Sequence, residues 1–535
     1  MRTSQNPIAF ATGKPLGRLS VVGLVSGLLA VSPQSHAAPP HLVVLVTVDQ
    51  LRGDYLERYR GQWRGAFARM LSRGAVFPNA RQAHAITETA PGHATLLSGR
   101  NPAHTGIPSN YFGVPDRDFP PVGVNTGNGA SPRRFRGSTL VDWLRAKDSD
   151  SRFLSISGKD RGAILPIGSS RGPVFWYASG RFVTSRYYVD TLPSWLTGWN
   201  ARGAVAGLAG RSWTLLLPDS AYLEPDSLPF EQGGRDVTFP HRAPDDPDKA
   251  MRQALSFPWM DSLTLDVALE GSRSLQLGRR RGTDVLAISL STTDYVGHEF
   301  GPDSRELHDQ LLRLDRTLGW FLDSLTTLLK GQAPLVIMTG DHGVTSYPED
   351  ARLNGRAGGR VSPTAFQQRT DSTLKALGVK SPGLYFDSGL LTADLDQLRT
   401  RGLDIDSLAV ALGESLKAVP GVTRVYTART LPGSSDADAT LWRRGLPDGL
   451  SWLLCASLSP GYIWSDEATS TTHGTTNPDD LSVPIVFMGP GVRSGSFTRS
   501  IETVDIAPTL AALLRVKPFE PLDGHAVVEV VGKGS

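Results

Sequence analysis

At 535 residues, with 40% hydrophobic side chains, the chain is long enough to bury a large core, and one big α/β domain with insertions is its natural organisation. Its 55 basic and 52 acidic residues nearly cancel, so bulk charge favours neither nucleic acid as a specific partner nor an anionic membrane. A lone cysteine, Cys455, excludes an intrachain disulfide framework and leaves Asp, Glu and His to build any metal site.

The first 37 residues stand apart. Arg2, Lys14 and Arg18 precede the apolar run Ser20 to Val31, and "SHA" (Ser35 to Ala37) ends it with the small residues a signal peptidase reads. Residues 1–37 are therefore expected to be a cleaved secretory signal peptide, delivering the protein to the periplasm or beyond the cell. The run of about a dozen residues is shorter than the roughly 20 that span a bilayer, so no membrane association is expected after cleavage.

Four short apolar runs ending in polar residues follow: Leu42 to Gln50, Asp284 to Asp294, Ala333 to Gly343 and Val483 to Gly491. They read as parallel strands buried on both faces. Between the second and third, Leu307, Leu311, Leu314, Leu318, Phe321 and Leu325 recur at helical spacing, completing a strand–helix–strand unit. Thr503 to Leu514 predicts a helix after the fourth. The expected fold is an α/β/α sandwich with a largely parallel central sheet and inserted cap segments. The core would run over residues 38–345 and 471–535. Pro-, Gly- and Asn-rich stretches at about 111–134 and 172–249 read as insertions. Residues 346–470 read as a cap, with its own amphipathic helix "DSLAVALGESLKAV" and strand "VTRVYTA".

Ligands in such a fold gather at the carboxyl ends of the strands. Asp49, Asp294 and Asp341 end the first three runs. His342 follows Asp341 at once, His298 stands four residues after Asp294 on the same face of a helical turn, and "TTHGTT" supplies His473. One such Asp alone is usually a helix cap, and one such His a hydrogen-bonded structural residue. Six together suit zinc, or less specifically manganese, and suffice for two ions.

In "TETAPGHATLLSG", Thr89 precedes Pro91 and a short apolar turn that Gly99 ends, so Thr89 reads as a helix cap. The same hydroxyl would sit beside free backbone N–H groups suited to a phosphate. A nearby divalent cation would make it a nucleophile, as zinc lowers the pKa of bound water from about 15.7 to about 7. Thr87 and Thr95 receive no role.

Taken in order, "TVDQLRGD", "TAPGHATLLSG", "GIPSN", "STTDYVGHEFGP", "GDHG" and "HGT" resemble the alkaline phosphatase superfamily, in its two-zinc branch with a threonine nucleophile, which includes nucleotide pyrophosphatases/phosphodiesterases. The resemblance covers about residues 42–345 and 471–527. It implies that Asp49, Asp341 and His342, with Thr89, hold the metal that activates the nucleophile. It implies that Asp294, His298 and His473 hold a second metal at the leaving-group oxygen, about 3.5 to 4 Å away, and that a phosphothreonine forms. Asn110, in "GIPSN", matches an asparagine that donates to a phosphoryl oxygen.

The substrate class is read from "SGKDRGA". Lys159 and Arg161 are two apart, so in an extended segment both point to one side. A phosphate monoester is a dianion whose transition-state charge spreads over three non-bridging oxygens, which two metals, a lysine and a forked arginine would cover. A solvated charge pair flanking Asp160 is the alternative. The pair resembles that of the phosphate-irrepressible alkaline phosphatases, and no C/S-x-P-x-R sulfatase pattern occupies the Thr89 position. An extra residue between His104 and Gly106 leaves His104 without a role, and His93 reads as structural. "APDDPDKA", with Asp245, Asp246 and Asp248, reads as a solvated acidic loop, because its spacing lacks the EF-hand pattern that calcium would need. The expected protein is a secreted zinc alkaline phosphatase of small-molecule phosphate monoesters with minor diesterase activity. The alternatives are a phosphodiesterase/nucleotide pyrophosphatase, or a catalytically silent metal-binding protein.

Overall fold

The computed structural model describes residues 39–125, 127–376, 378–379 and 383–531; the expected signal peptide lies outside them. Among the described residues no helix is long and apolar enough to cross a membrane.

The sheet is organised around Leu42–Val48, seven buried residues in a row. Successive side chains of a strand point to opposite faces. Accordingly Leu42, Val44, Val46 and Val48 enter one apolar cluster with the helices Trp259–Leu275 and Arg305–Leu328, while Val43 and Leu45 enter another with Thr89–Leu96 and Ile506–Leu514. These are the three layers of an α/β/α sandwich. All six positions expected to form the buried stripe of the long helix are buried, and Ser304 caps it by accepting from Leu307 N at 3.1 Å.

Ten strands lie in the order Gly495–Ser496, Ala75–Phe77, Ile485–Met488, Leu335–Thr339, Leu42–Val48, Asp284–Leu290, Phe153–Ser157, Val174–Ala178, Arg181–Ser185 and Pro121–Val122. From Leu335–Thr339 to Val174–Ala178 all pairings are parallel. The fourth apolar run departs from expectation: Ile485–Met488 is antiparallel to both its neighbours. A continuous apolar run specifies burial on two faces but carries no direction. The chain leaves the carboxyl end of Leu335–Thr339 to build the cap, returns at that same end through residues 471–482, and so enters its next strand from the opposite side.

Two stretches expected as insertions contribute strands to the sheet itself. Pro121–Val122 forms one edge, and Val174–Ala178 and Arg181–Ser185 form a hairpin beside it. The hairpin turn is Ser179-Gly180, both at positive φ (49° and 86°), the pair a two-residue turn requires. Over residues 346–470 a separate apolar cluster, from Val361 to Trp464, sits on a four-stranded antiparallel sheet of Tyr385–Asp387, Leu390–Thr392, Trp452–Leu458 and Val422–Thr427. The expected helix and strand here appear as Ile405–Lys417 and Val422–Thr427.

Candidate active site

Asp49, Asp294 and Asp341 converge at the carboxyl ends of three adjacent strands. Asp49 follows Leu42–Val48 directly, and its N–H is held by Leu290 O at 2.9 Å. Asp294 and His298 lie on the helix Thr292–Glu299 with His298 Nε2 3.2 Å from Asp294 Oδ1, the i,i+4 pairing that their spacing predicts. His473 brings its Nε2 to 3.5 Å from the same oxygen.

The three imidazoles are aimed by backbone carbonyls. His298 Nδ1 donates to Thr471 O at 2.7 Å, His473 Nδ1 to Thr87 O at 2.7 Å and His342 Nδ1 to Gly343 O at 3.0 Å, which leaves each Nε2 facing the carboxylates. Thr87 thereby acquires a role, and its hydroxyl donates in turn to Thr475 O at 2.9 Å. The rings of His342 and His473 stack at 3.6 Å.

Donor atoms of Asp294, His298 and His473 lie within 4.8 Å of one another, as do those of Asp49, Asp294 and His342. The first trio is the set implied for one metal. In the second, Asp294 stands where Asp341 was expected, and Lys159 Nζ lies between its two carboxylates, 2.7 Å from Asp49 Oδ2 and 2.5 Å from Asp294 Oδ2. Asp341 is adjacent, with Oδ2 3.6 Å from His342 Nε2.

The electrostatics are those of a cation site. Burial and the neighbouring Asp294 and Asp341 carboxylates push the Asp49 pKa up. Asp294 is equally desolvated, yet Lys159 and His298 hold its carboxyl well below the usual range. His342 resists its burial and is held up at about 9 by Asp341 and Asp49, whereas burial and the charge of His342 push His473 down to about 3. Asp49 Oδ1, Asp341 Oδ2 and His342 Nε2 are buried and make no well-aligned hydrogen bond among the described residues, their polar neighbours being one another and His93 Nδ1. Buried orphans of this kind demand a ligand, and oxygen plus imidazole donors fit a divalent ion such as zinc.

Thr89 opens the helix Thr89–Leu96 and is 1% exposed. It is the first helical residue, while Glu88 occupies the cap position with no side-chain capping bond, so the expected capping role falls away. The row of free N–H donors is also shorter than expected. Ala90 N donates to Asn110 Oδ1 at 2.9 Å, Pro91 has no N–H and Gly92 N donates to Glu88 O, which leaves the N–H of Thr89 itself. With its Oδ1 engaged, Asn110 offers its Nδ2 hydrogens. Lys159 is extended, but Arg161 sits on the helix Asp160–Ile164, so the two do not share one side of an extended segment. Both reach the same place nonetheless: a cavity of about 270 Å³ lined also by Thr89, Asn110, Asp294, His298 and His473.

Some residues that hold this site went unread in the sequence. Gln50, at φ 66°, donates its N–H to Asp341 Oδ1 at 3.1 Å and its Nε2 to Asp294 Oδ1 at 2.9 Å, tying two carboxylates to one residue. Gly297 makes room for it, since a Cβ there would fall 1.8 Å from Gln50 Oε1. His93 does more than pack: its Nδ1 lies 3.1 Å from Asp341 Oδ2 and 2.9 Å from Thr89 O. His104 pairs with Asp523 at 2.8 Å, away from the site, and in the acidic loop Asp246 caps a helix while Asp245 pairs with Arg242.

Gly92 lets the Thr89 helix touch the strand end that carries Asp341: an added Cβ would stand 2.2 Å from Asp341 O and 2.9 Å from Asp341 Cβ. Gly92→Ala is expected to destabilise the fold by about 1–3 kcal/mol, as overpacking does, and to lower metal content and turnover together. Thermal melting with metal analysis checks this; wild-type melting and loading would sink it.

The family model for type I phosphodiesterase / nucleotide pyrophosphatase matches residues 43–357. The chain is 30% identical to alkaline phosphatase PafA of Elizabethkingia meningoseptica, over 95% of this chain and 98% of that one. It is 31% identical to alkaline phosphatase PhoV of Synechococcus elongatus, over 94% of both. The crystal structure of wild-type PafA superposes with a TM-score of 0.85 at 29% identity, covering 92% of this chain and 99% of that one. Fold, site chemistry and near full-length similarity agree: the chain belongs to the type I phosphodiesterase/nucleotide pyrophosphatase family of the alkaline phosphatase superfamily, and it is an enzyme of the alkaline phosphatase kind.

Proposed function

We propose that the protein is a secreted, two-zinc alkaline phosphatase that hydrolyses phosphate monoesters through a phosphothreonine at Thr89. The observation that carries this reading is the single cavity onto which Thr89, Asn110, Lys159 and Arg161 open together with Asp294, His298 and His473. Asp49, Asp341 and His342, with Thr89, would hold one ion, and Asp294, His298 and His473 the other. When bound, the two ions supply Lewis acidity at the threonine hydroxyl and at the leaving-group oxygen.

Thr89 Oγ1 attacks phosphorus as its proton passes to solvent, and the departing alkoxide takes a proton from solvent to leave as the alcohol. The new phosphorus–Thr89 oxygen bond forms as the ester bond breaks, and the leaving alcohol departs on the opposite side. Water then hydrolyses the phosphothreonine and restores Thr89. Asn110 Nδ2 and the Thr89 N–H donate to non-bridging oxygens. Lys159 and Arg161 meet the remaining charge of the dianion; the acidic neighbours Asp294, Asp49 and Asp160 keep both cationic against their burial.

A diester carries less charge for those two side chains to meet. Lys159→Ala and Arg161→Ala are each expected to lower kcat/KM for nitrophenyl phosphate on the order of 10²-fold, and for the bis-nitrophenyl ester about tenfold or less. Equal losses would remove their assigned role. A wild-type preference for the bis-ester would favour the phosphodiesterase reading instead.

A further inference from the structure

The chemistry of the cavity changes from floor to rim. The cap strands Tyr385–Asp387 and Leu390–Thr392 pair with Asp387 opposite Leu390, so Ser388-Gly389, at φ 49° and 85°, is a two-residue turn of the type that left-handed pairs make. Two contacts pin this turn to the core. Ser388 Oγ donates to Glu88 Oε1 at 2.5 Å, and Tyr385 stacks on Tyr111 at 4.0 Å. The other Glu88 oxygen accepts Asn110 N–H at 2.6 Å. Asp387 is thereby held beside Glu88, one residue from the nucleophile.

Glu88, Asp387, Phe386, Trp464 and Pro363 line the cavity that contains Thr89. Phe386 and Trp464 meet edge to face at 5.1 Å and are nearly buried. An anionic substituent at this rim would meet two carboxyl groups. A neutral alkyl chain would suit the rings but leave the carboxyls without a counter-charge. An ammonium group satisfies both, through charge-assisted hydrogen bonds and the faces of the rings. Burial and Glu88 push the Asp387 carboxyl up to about 8, so Asp387 is ionised, and able to attract an ammonium at full strength, only above that pH.

We infer that Glu88 and Asp387, with Phe386 and Trp464, form a leaving-group subsite for a small ammonium substituent, so that aminoalkyl phosphates are preferred over neutral and anionic isosteres. The inference rests on the monoesterase reading. Its test is kcat/KM of the full, zinc-loaded protein on 3-aminopropyl, n-butyl and 3-carboxypropyl phosphate, with calorimetric binding of the matching phosphonates. The aminopropyl ester should exceed the butyl ester by about tenfold, the size of a charged hydrogen bond net of desolvation, with the carboxypropyl ester last. Asp387→Asn should bring the aminopropyl-to-butyl ratio toward one and relieve the handicap of the carboxylate. Phe386→Leu, which keeps volume but removes the ring, should lower the same ratio by a smaller factor. A wild-type ratio of one or less, or a ratio unchanged in Asp387→Asn, overturns the subsite. Ordered phosphonate binding without turnover of any ester would instead overturn the monoesterase reading and leave the subsite standing.

Discussion

Thr89→Ala is expected to lower kcat/KM for phosphate monoesters on the order of 10⁴-fold or more, the scale at which loss of a nucleophile disables a covalent mechanism. The same substitution should leave the metal-free fold close to wild type. Thr89 is the first residue of its helix, the cap position belongs to Glu88, and no hydrogen bond of the Thr89 hydroxyl is present among the described residues. Deleting that oxygen therefore leaves no buried partner unsatisfied, and its cost in stability stays about 1 kcal/mol. Nitrophenyl phosphate kinetics beside a thermal melt separate the two effects. A variant that melts as wild type but keeps its turnover would end the phosphothreonine proposal.

Exhaustive chelation is expected to abolish activity and lower the melting temperature, and zinc should restore both at two ions per chain. Asp49 and Asp341 are fully buried and Asp294 is 3% exposed, so three carboxylates share a space from which water is excluded. Without an ion the three are offset only by the Lys159 ammonium between Asp49 and Asp294 and by imidazoles that must take up protons, His342 being held up at about 9, and divalent ions would replace those protons. Binding to the folded state alone stabilises it by about 4 kcal/mol per site at a free ion concentration of 1,000 Kd. Asp341→Ala should reproduce most of the loss, because it removes a carboxylate reached by Gln50, His93 and His342. Metal analysis with calorimetry checks the stoichiometry. Full activity after chelation would sink the two-ion site.

The catalytically silent alternative is set aside by the alkaline phosphatases that the chain matches over nearly its whole length. Calcium in the acidic loop gains no support, since Asp246 and Asp245 have partners of their own there. A phosphodiesterase reading still competes for the substrate, which is why the kinetics of Lys159 and Arg161 variants matter: both residues line the cavity, and a monoester and a diester differ in the charge they would bring to it.

What could be read from the chain alone was what local pattern and residue type carry. Burial on both faces was written in the continuous run Leu42–Val48, the long helix in the spacing from Leu307 to Leu325, and the Asp294–His298 pairing in four residues of one helical turn. Strand-end aspartates and histidines stood out as candidate donors because chemistry restricts which side chains bind a divalent ion. Direction, partnership and distance were beyond that reading, since they arise from where the chain returns in space. The antiparallel course of Ile485–Met488 follows from the cap's re-entry at the carboxyl end, and no residue within that strand encodes it. Gln50 became visible only when two distant aspartates met around it, and Arg161 reached the cavity from a helix, not from the extended segment assumed. The contact of Ser388 with Glu88, 300 residues apart, is likewise a product of the folded cap. The sequence by itself determined the layers and the candidate donor residues, because periodicity and ligand chemistry are local; the tertiary structure alone decided which of those residues stand together and what lines the cavity beside them, because that depends on loops closing over hundreds of residues.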